Sequence, residues 1–181
     1  MPDPKRFKGK ICLVGEYMVG KSSLIRRYVR NDFDDKYLMT LGAKVSKKEV
    51  DVLVDGTPVR ANLAIWDFMG QEGFRELFQD AYFSGARGIL AVCDLTRRTT
   101  LDALGPWVQS VRAVAGPIPM VLAANKADLT DKAELADRDL DRFAAAYACA
   151  FVRTSAKTGA NVEETFRILA TTVSRAHLAA P

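Results

Sequence analysis

Histidine is nearly absent from this chain: His177 is the only one in 181 residues. No Cys, Asp or Glu cluster stands beside it, so it does not make a zinc site and reads as a solvated residue on the last helix. Cysteine is scarce as well. Cys12, Cys93 and Cys149 sit in apolar segments, odd in number and without paired spacing. That excludes a disulfide framework and points to reduced core thiols. Long apolar runs are missing too. The longest, Phe143 to Val152, falls well short of the roughly 18–20 residues of a membrane span and reads as a helix end followed by a short strand. Met1 to Lys10 is charged and carries no long apolar stretch, so no secretory signal is expected there. Long basic runs are absent: the net charge of +4 is spread over pairs such as Lys5-Arg6, Arg26-Arg27, Lys47-Lys48 and Arg97-Arg98. No nucleic-acid partner is therefore expected.

What is present is the composition of one ordinary globular domain, 49% apolar and 27% charged. No repeat, low-complexity tract or linker divides it. Residues 1–9, with two prolines and mixed charge, are expected to be a flexible lead-in to a domain over 10–178. Lys10 to Val14 reads as a buried strand, and Leu24, Ile25 and Tyr28 recur at helical spacing behind Gly20. Val50, Val52 and Val54 alternate with polar residues, and so do Val59, Ala61, Leu63 and Ile65. Asp55-Gly56 between them predicts a hairpin. Gly88 to Cys93 and Met120 to Ala124 are continuous apolar runs, as strands buried on both faces should be. Phe151-Val152 is a last short strand. Helical patterns fall near 72–84, 100–115, 137–148 and 161–178. Strands alternating with helices predict a three-layer α/β/α fold. Its sheet should be six-stranded and mostly parallel, with one antiparallel strand and about five helices. Ligands of such sheets bind beyond the carboxyl ends of the strands.

Two motifs fall at such ends. Gly15-Glu16-Tyr17-Met18-Val19-Gly20-Lys21-Ser22 satisfies G-x-x-x-x-G-K-[ST] between a strand and a helix. The loop wraps phosphates with inward backbone N–H groups, and the helix N-terminus adds its dipole. Lys21 places a cation between the outer phosphates, and the Ser22 hydroxyl serves Mg²⁺. Tyr17, Met18, Val19 and Ser23 are included among the nucleotide-binding residues. Asn125-Lys126-Ala127-Asp128 follows the apolar run Met120 to Ala124. The Asp128 carboxylate can accept from the N1–H and exocyclic amine of guanine, a donor pair that adenine lacks. Asn125 can bridge base and loop, and the Lys126 stem can lie over the ring. Thr154-Ser155-Ala156-Lys157 follows the last strand, where small residues let backbone N–H groups approach a base carbonyl.

With these motifs in this order, the chain resembles the small GTPases of the Ras superfamily, closest in texture to the Rab-like branch, from about Phe7 to Ala176. Thr40-Leu41-Gly42, Trp66-Asp67-Phe68-Met69-Gly70-Gln71-Glu72, Phe74-Arg75 through Tyr82-Phe83-Ser84-Gly85-Ala86, and Asp94-Leu95-Thr96 carry it further. The resemblance implies the P-loop NTPase version of this α/β/α fold and a GTP/GDP switch with Mg²⁺, in signalling or trafficking. Thr40 would hold Mg²⁺ and the γ-phosphate, and Asp67 would serve Mg²⁺ through a water. Gly70 would touch the γ-phosphate, and Gln71 would orient the attacking water. Phe33 would stand beside the base and Tyr37 over the phosphates. Lys21, Thr40 and Gln71 form the catalytic set; Ser22, Thr40 and Asp67 form the metal set. Effector, exchange and activating proteins would read residues 34–45 and 67–82. The chain is expected to be a monomer, cytoplasmic, and recruited to membranes through partners. No cysteine follows Cys149 and Met1-Pro2-Asp3 is no myristoylation start, so no lipid anchor is expected in this chain.

The departures from the family pattern lie around the γ-phosphate. Phe68-Met69 replaces a small pair, and Tyr17 and Met18 stand where small residues are usual. Bulk there is expected to crowd the phosphate, and no arginine stands ready in cis, so turnover should be slow. Three outcomes are open: impaired hydrolysis, side chains that pack on one another and stiffen the switch, or a Tyr17 hydroxyl that itself meets the phosphate or water. The alternative function is a GTP-binding interaction module with little hydrolysis. A third, an ATP-using enzyme, is opposed by Asn125 and Asp128.

Overall fold

The computed structural model describes residues 3–34, 36, 42–68, 70 and 72–181. Tyr37, Thr40, Met69 and Gln71 lie outside the described residues. Among those described, strands β1 (Lys5–Val14), β2 (Ala43–Val54), β3 (Thr57–Phe68), β4 (Ala86–Asp94), β5 (Met120–Asn125) and β6 (Ala150–Arg153) form one sheet in the order β2-β3-β1-β4-β5-β6. β2 is antiparallel to β3 and every other pairing is parallel. The expected hairpin closes at Asp55 (φ 48°) and Gly56 (φ 81°), both left-handed, which is the type I′ geometry that matches strand twist.

Helices α1 (Lys21–Arg30), α2 (Glu72–Phe83), α3 (Arg98–Asp102), α4 (Leu104–Ala115), α5 (Asp137–Tyr147) and α6 (Val162–Ala179) complete the chain. The helix expected over 100–115 is divided at Ala103 into α3 and α4. Strand side chains alternate between faces and so make two cores. Ile11, Leu13, Leu63 and Val92 meet Leu24 and Tyr28 of α1 and Phe166 and Leu169 of α6. Cys12, Val14, Ala91 and Leu122 meet Phe83, Leu104, Trp107 and Leu140 on the other side. The result is the three-layer α/β/α arrangement predicted. Burial pushes the Cys12 and Cys93 thiols up to about 12, as inert core thiols require. No helix among the described residues is long and apolar enough to cross a membrane.

One expectation needs correction. The stretch read as a flexible lead-in is strand from Lys5 onward, and Lys5 to Gly9 pair with Val59 to Leu63 of β3. The physical reason is Phe7, which is 2% exposed in the core, beside His177 at a ring separation of 4.9 Å. A Cβ at Gly9 would lie 2.4 Å from the Phe7 ring, so glycine there makes room for it. Phe7→Ala is expected to cost about 3–5 kcal/mol, measured by denaturant unfolding. Hydrogen exchange should find the paired amides of Lys5 to Gly9 protected; free exchange there would contradict the strand.

Candidate functional site

The parallel pairing brings the carboxyl ends of β3, β1, β4, β5 and β6 to one edge of the sheet, and the motifs assemble there. Between β1 and α1 the chain turns through Gly15 (φ 146°) and Gly20 (φ 101°). Neither position admits a side chain: a Cβ on Gly15 would come 2.3 Å from the Val92 carbonyl oxygen, and one on Gly20 would come 2.2 Å from Asn125 Nδ2. Met18 adopts φ 63°. No side chain caps α1 and no acidic residue occupies its first turn, where Ser23 sits. The N-terminal end of this helix thus carries no acidic residue of its own, and its positive dipole end favours phosphate.

Lys21 is 7% exposed. Its Nζ donates to the carbonyl oxygens of Gly15, at 2.6 Å, and Glu16, at 3.0 Å. Burial pulls its pKa down to about 8, against the opposing pull of the Asp67 and Glu16 carboxylates. The Ser22 hydroxyl donates to the buried Asp67 carboxylate at the end of β3. Just beyond, the Gly70 carbonyl accepts from the Tyr17 N–H at 3.1 Å. A Cβ on Gly70 would lie 2.7 Å from Lys21 Nζ, so this glycine permits the closest approach of the second loop to the first.

The base-side motifs are locked to this loop by Asn125. Its Nδ2 donates to the Val19 carbonyl at 2.9 Å. Its Oδ1 accepts from Thr154 Oγ1 at 3.1 Å and from the Ala156 N–H at 3.2 Å. Ser155 Oγ donates to Asp128 Oδ1 at 2.7 Å, which aims that carboxylate. Lys126, at φ 67°, places its Nζ 2.7 Å from Asp94 Oδ2. Arg27 of α1 donates to the carbonyls of Ala156 and Lys157 and so secures the last loop. Phe33 is partly buried against the core that includes Leu24 and Tyr28.

Of the expected site residues, Gly15, Tyr17, Met18, Val19, Gly20, Lys21, Ser22, Ser23, Asp67, Gly70, Asn125, Lys126, Asp128, Ser155, Ala156 and Lys157 fall in these loops or their adjoining strand and helix ends. Val19 contributes its backbone, since its side chain is wholly buried in the core. Phe68 departs from its expected role. It is 1% exposed and packs edge-on against Tyr82 and Phe83, at 5.4 and 5.3 Å between ring centres. Its side chain is a core element and not a group that crowds a phosphate, because alternation along β3 turns it toward α2. Tyr17 and Met18 are about half exposed. Sequence reading assigned no site role to Asp94, Arg97, Thr154 or Arg27. Asp94 stood in a recognised segment without a role, and Arg97 was only half of a basic pair.

A model of the Ras family matches residues 10–175. The chain is 37% identical over 158 residues to Ras-related protein Rab-22A of Mus musculus, covering 87% of this chain and 79% of that one. It is 36% identical over 174 residues to Ras-related protein Rab-4B of Homo sapiens, covering 96% and 79%. It is 34% identical over 167 residues to GTP-binding protein ypt3 of Schizosaccharomyces pombe, covering 92% and 76%.

The lowered Lys21 pKa has a measurable sign. A polyphosphate favours the ammonium form, so above about pH 8 its binding takes up a proton. GDP affinity should fall between pH 8 and 9, by up to about tenfold per unit, with proton uptake seen by calorimetry in buffers of different ionisation enthalpy. The effect on folding runs the other way. Below about pH 8 the buried charge is a cost, and stability rises as pH climbs from there toward the ordinary lysine value. Equal heats in all buffers at pH 9 would contradict this.

Proposed function

This chain belongs to the Ras family, as a Rab-like GTP-binding small GTPase, and we propose that it is a Mg²⁺-dependent GTP/GDP switch with slow hydrolysis. The observation that carries the reading is the buried Lys21 ammonium, which is held at the mouth of a glycine loop by two carbonyls that a phosphate can replace. The Ser22 hydroxyl and Asp67 carboxylate, already in contact beside it, are hard oxygen donors of the kind Mg²⁺ takes. Among the described residues no group of three or more His, Cys, Asp or Glu offers a protein-only cage. This fits an ion completed by phosphate oxygens and water. Bound Mg²⁺ would supply positive charge to the phosphates, held by Ser22, Asp67 and Thr40.

This chain's own residues do the remaining work. Lys21 offsets charge on the outer phosphates, and the Gly70 N–H lies on the loop that faces them. Gln71 orients the attacking water, with Thr40 beside it; Tyr37 covers the phosphates and Phe33 flanks the base. Asp128, aimed by Ser155, selects guanine, and Asn125 ties that selection to the phosphate loop. Slowness follows from the bulk of Tyr17 in the phosphate loop. Partners that regulate or read the switch meet residues 34–45 and 67–82, and the chain acts as a monomer reaching membranes through them.

In single-turnover hydrolysis with Mg²⁺, GDP should appear over hours, and Gln71→Leu should slow it by about a hundredfold or more. GTP that persists unchanged would favour an interaction module. Asp128→Ala should shrink the preference for GTP over ATP by about a hundredfold, since two hydrogen bonds to a charged acceptor are lost. Competition against a fluorescent GDP analogue measures this, and unchanged preference would sink the guanine assignment to Asp128.

A further inference from the structure

Arg97 links the two halves of the site. It stands in the turn between β4 and α3, with its Nε 3.1 Å from Asp94 Oδ2. That same oxygen receives Lys126 Nζ at 2.7 Å, while Asp94 Oδ1 accepts from the Thr96 N–H and hydroxyl. Asp94 is wholly buried, so both cations converge on a carboxylate shielded from water. The far end of Arg97 then reaches the phosphate loop, where its terminal nitrogen donates to the Tyr17 carbonyl at 2.9 Å. Its guanidinium carbon lies 5.8 Å from the centre of the Tyr17 ring, within cation–π range.

Tyr17 is the residue whose bulk threatens the phosphates, and Arg97 is the side chain that meets it at both backbone and ring. We propose that Arg97 is a positioning residue. It holds the Tyr17 side chain on the β4–α3 side of the phosphate loop and, through Asp94, couples that placement to Lys126 at the base. A planar fork suits this task, since Nε and a terminal nitrogen of the same guanidinium serve Asp94 and the Tyr17 carbonyl while its charge lies near the Tyr17 ring. The inference rests on the reading of this loop as the seat of the GTP phosphates.

A cycle of Arg97→Ala and Tyr17→Gly, in the full chain with Mg²⁺, tests it. In the Tyr17 background, Arg97→Ala releases the ring and should slow single-turnover GTP hydrolysis by about fivefold or more. In the Tyr17→Gly background there is no ring to release, and the same change should alter hydrolysis by less than about twofold. Release of a fluorescent GDP analogue should quicken by about tenfold in both backgrounds, because the residue 17 carbonyl and the Asp94 contact are lost in each. Equal slowing of hydrolysis in both backgrounds would overturn the role assigned to the Tyr17 ring. Unchanged GDP release would overturn the coupling to Lys126. If no variant forms GDP from GTP, the hydrolytic reading fails on its own, and the release rates still decide the coupling.

Discussion

A single buried amide holds the candidate nucleotide site together. Asn125 spends its donor on the Val19 carbonyl and its acceptor on Thr154 and Ala156, so three loops share one side chain. Each of these groups would otherwise be a buried polar atom without water, at a cost of about 1–3 kcal/mol apiece. The network also explains a backbone demand elsewhere. Gly20 must be glycine because Asn125 Nδ2 occupies the space a Cβ would need. Sequence-distant motifs therefore have a common geometry before any ligand contact is considered.

Charge is arranged around the same loops with similar economy. Lys21 is buried among carbonyl oxygens, with Asp67 and Glu16 favouring its ammonium form and Arg97 opposing it. Asp94 is buried at the next strand end, where desolvation would raise its pKa, but Lys126 and Thr96 outweigh that and its carboxyl stays below the usual carboxylate range. These two buried groups, Lys21 at the start of α1 and Asp94 at the end of β4, have opposite signs. Their surroundings differ. Asp94 is surrounded by side-chain cations and hydroxyls, whereas Lys21 is held mainly by backbone, which leaves its charge open to exchange for a stronger anion.

Most of the architecture was legible from periodicity. The run Met120 to Ala124 announced a strand buried on both faces, and Asp55-Gly56 announced a hairpin, because both signals are local. The start of β1 was hidden because lysine and arginine flank a single informative residue, Phe7, whose burial depends on α6 far along the chain. The family pattern suggested Phe68 as a bulky neighbour of the phosphate. Its true direction follows from strand alternation and from aromatic partners on α2. Arg97 was illegible for another reason: the residue it grips is 80 positions away, and a basic pair carries no information about distant carbonyls. Motif residues are readable when their partner is a ligand with fixed chemistry. Residues that serve other residues are not.

The placement of β2 has a consequence beyond the site. It is a twelve-residue strand at the margin of the sheet, opposite the four-residue β6. A long margin of this kind offers unpaired backbone groups to any other extended chain. Here Lys44, Lys47, Lys48, Glu49 and Asp51 interrupt it, and Arg60 draws Glu49 and Asp51 into ion pairs on the same surface. A second copy laying down its own β2 would have to desolvate those charges. The charges along this edge strand thereby oppose fibrous self-association.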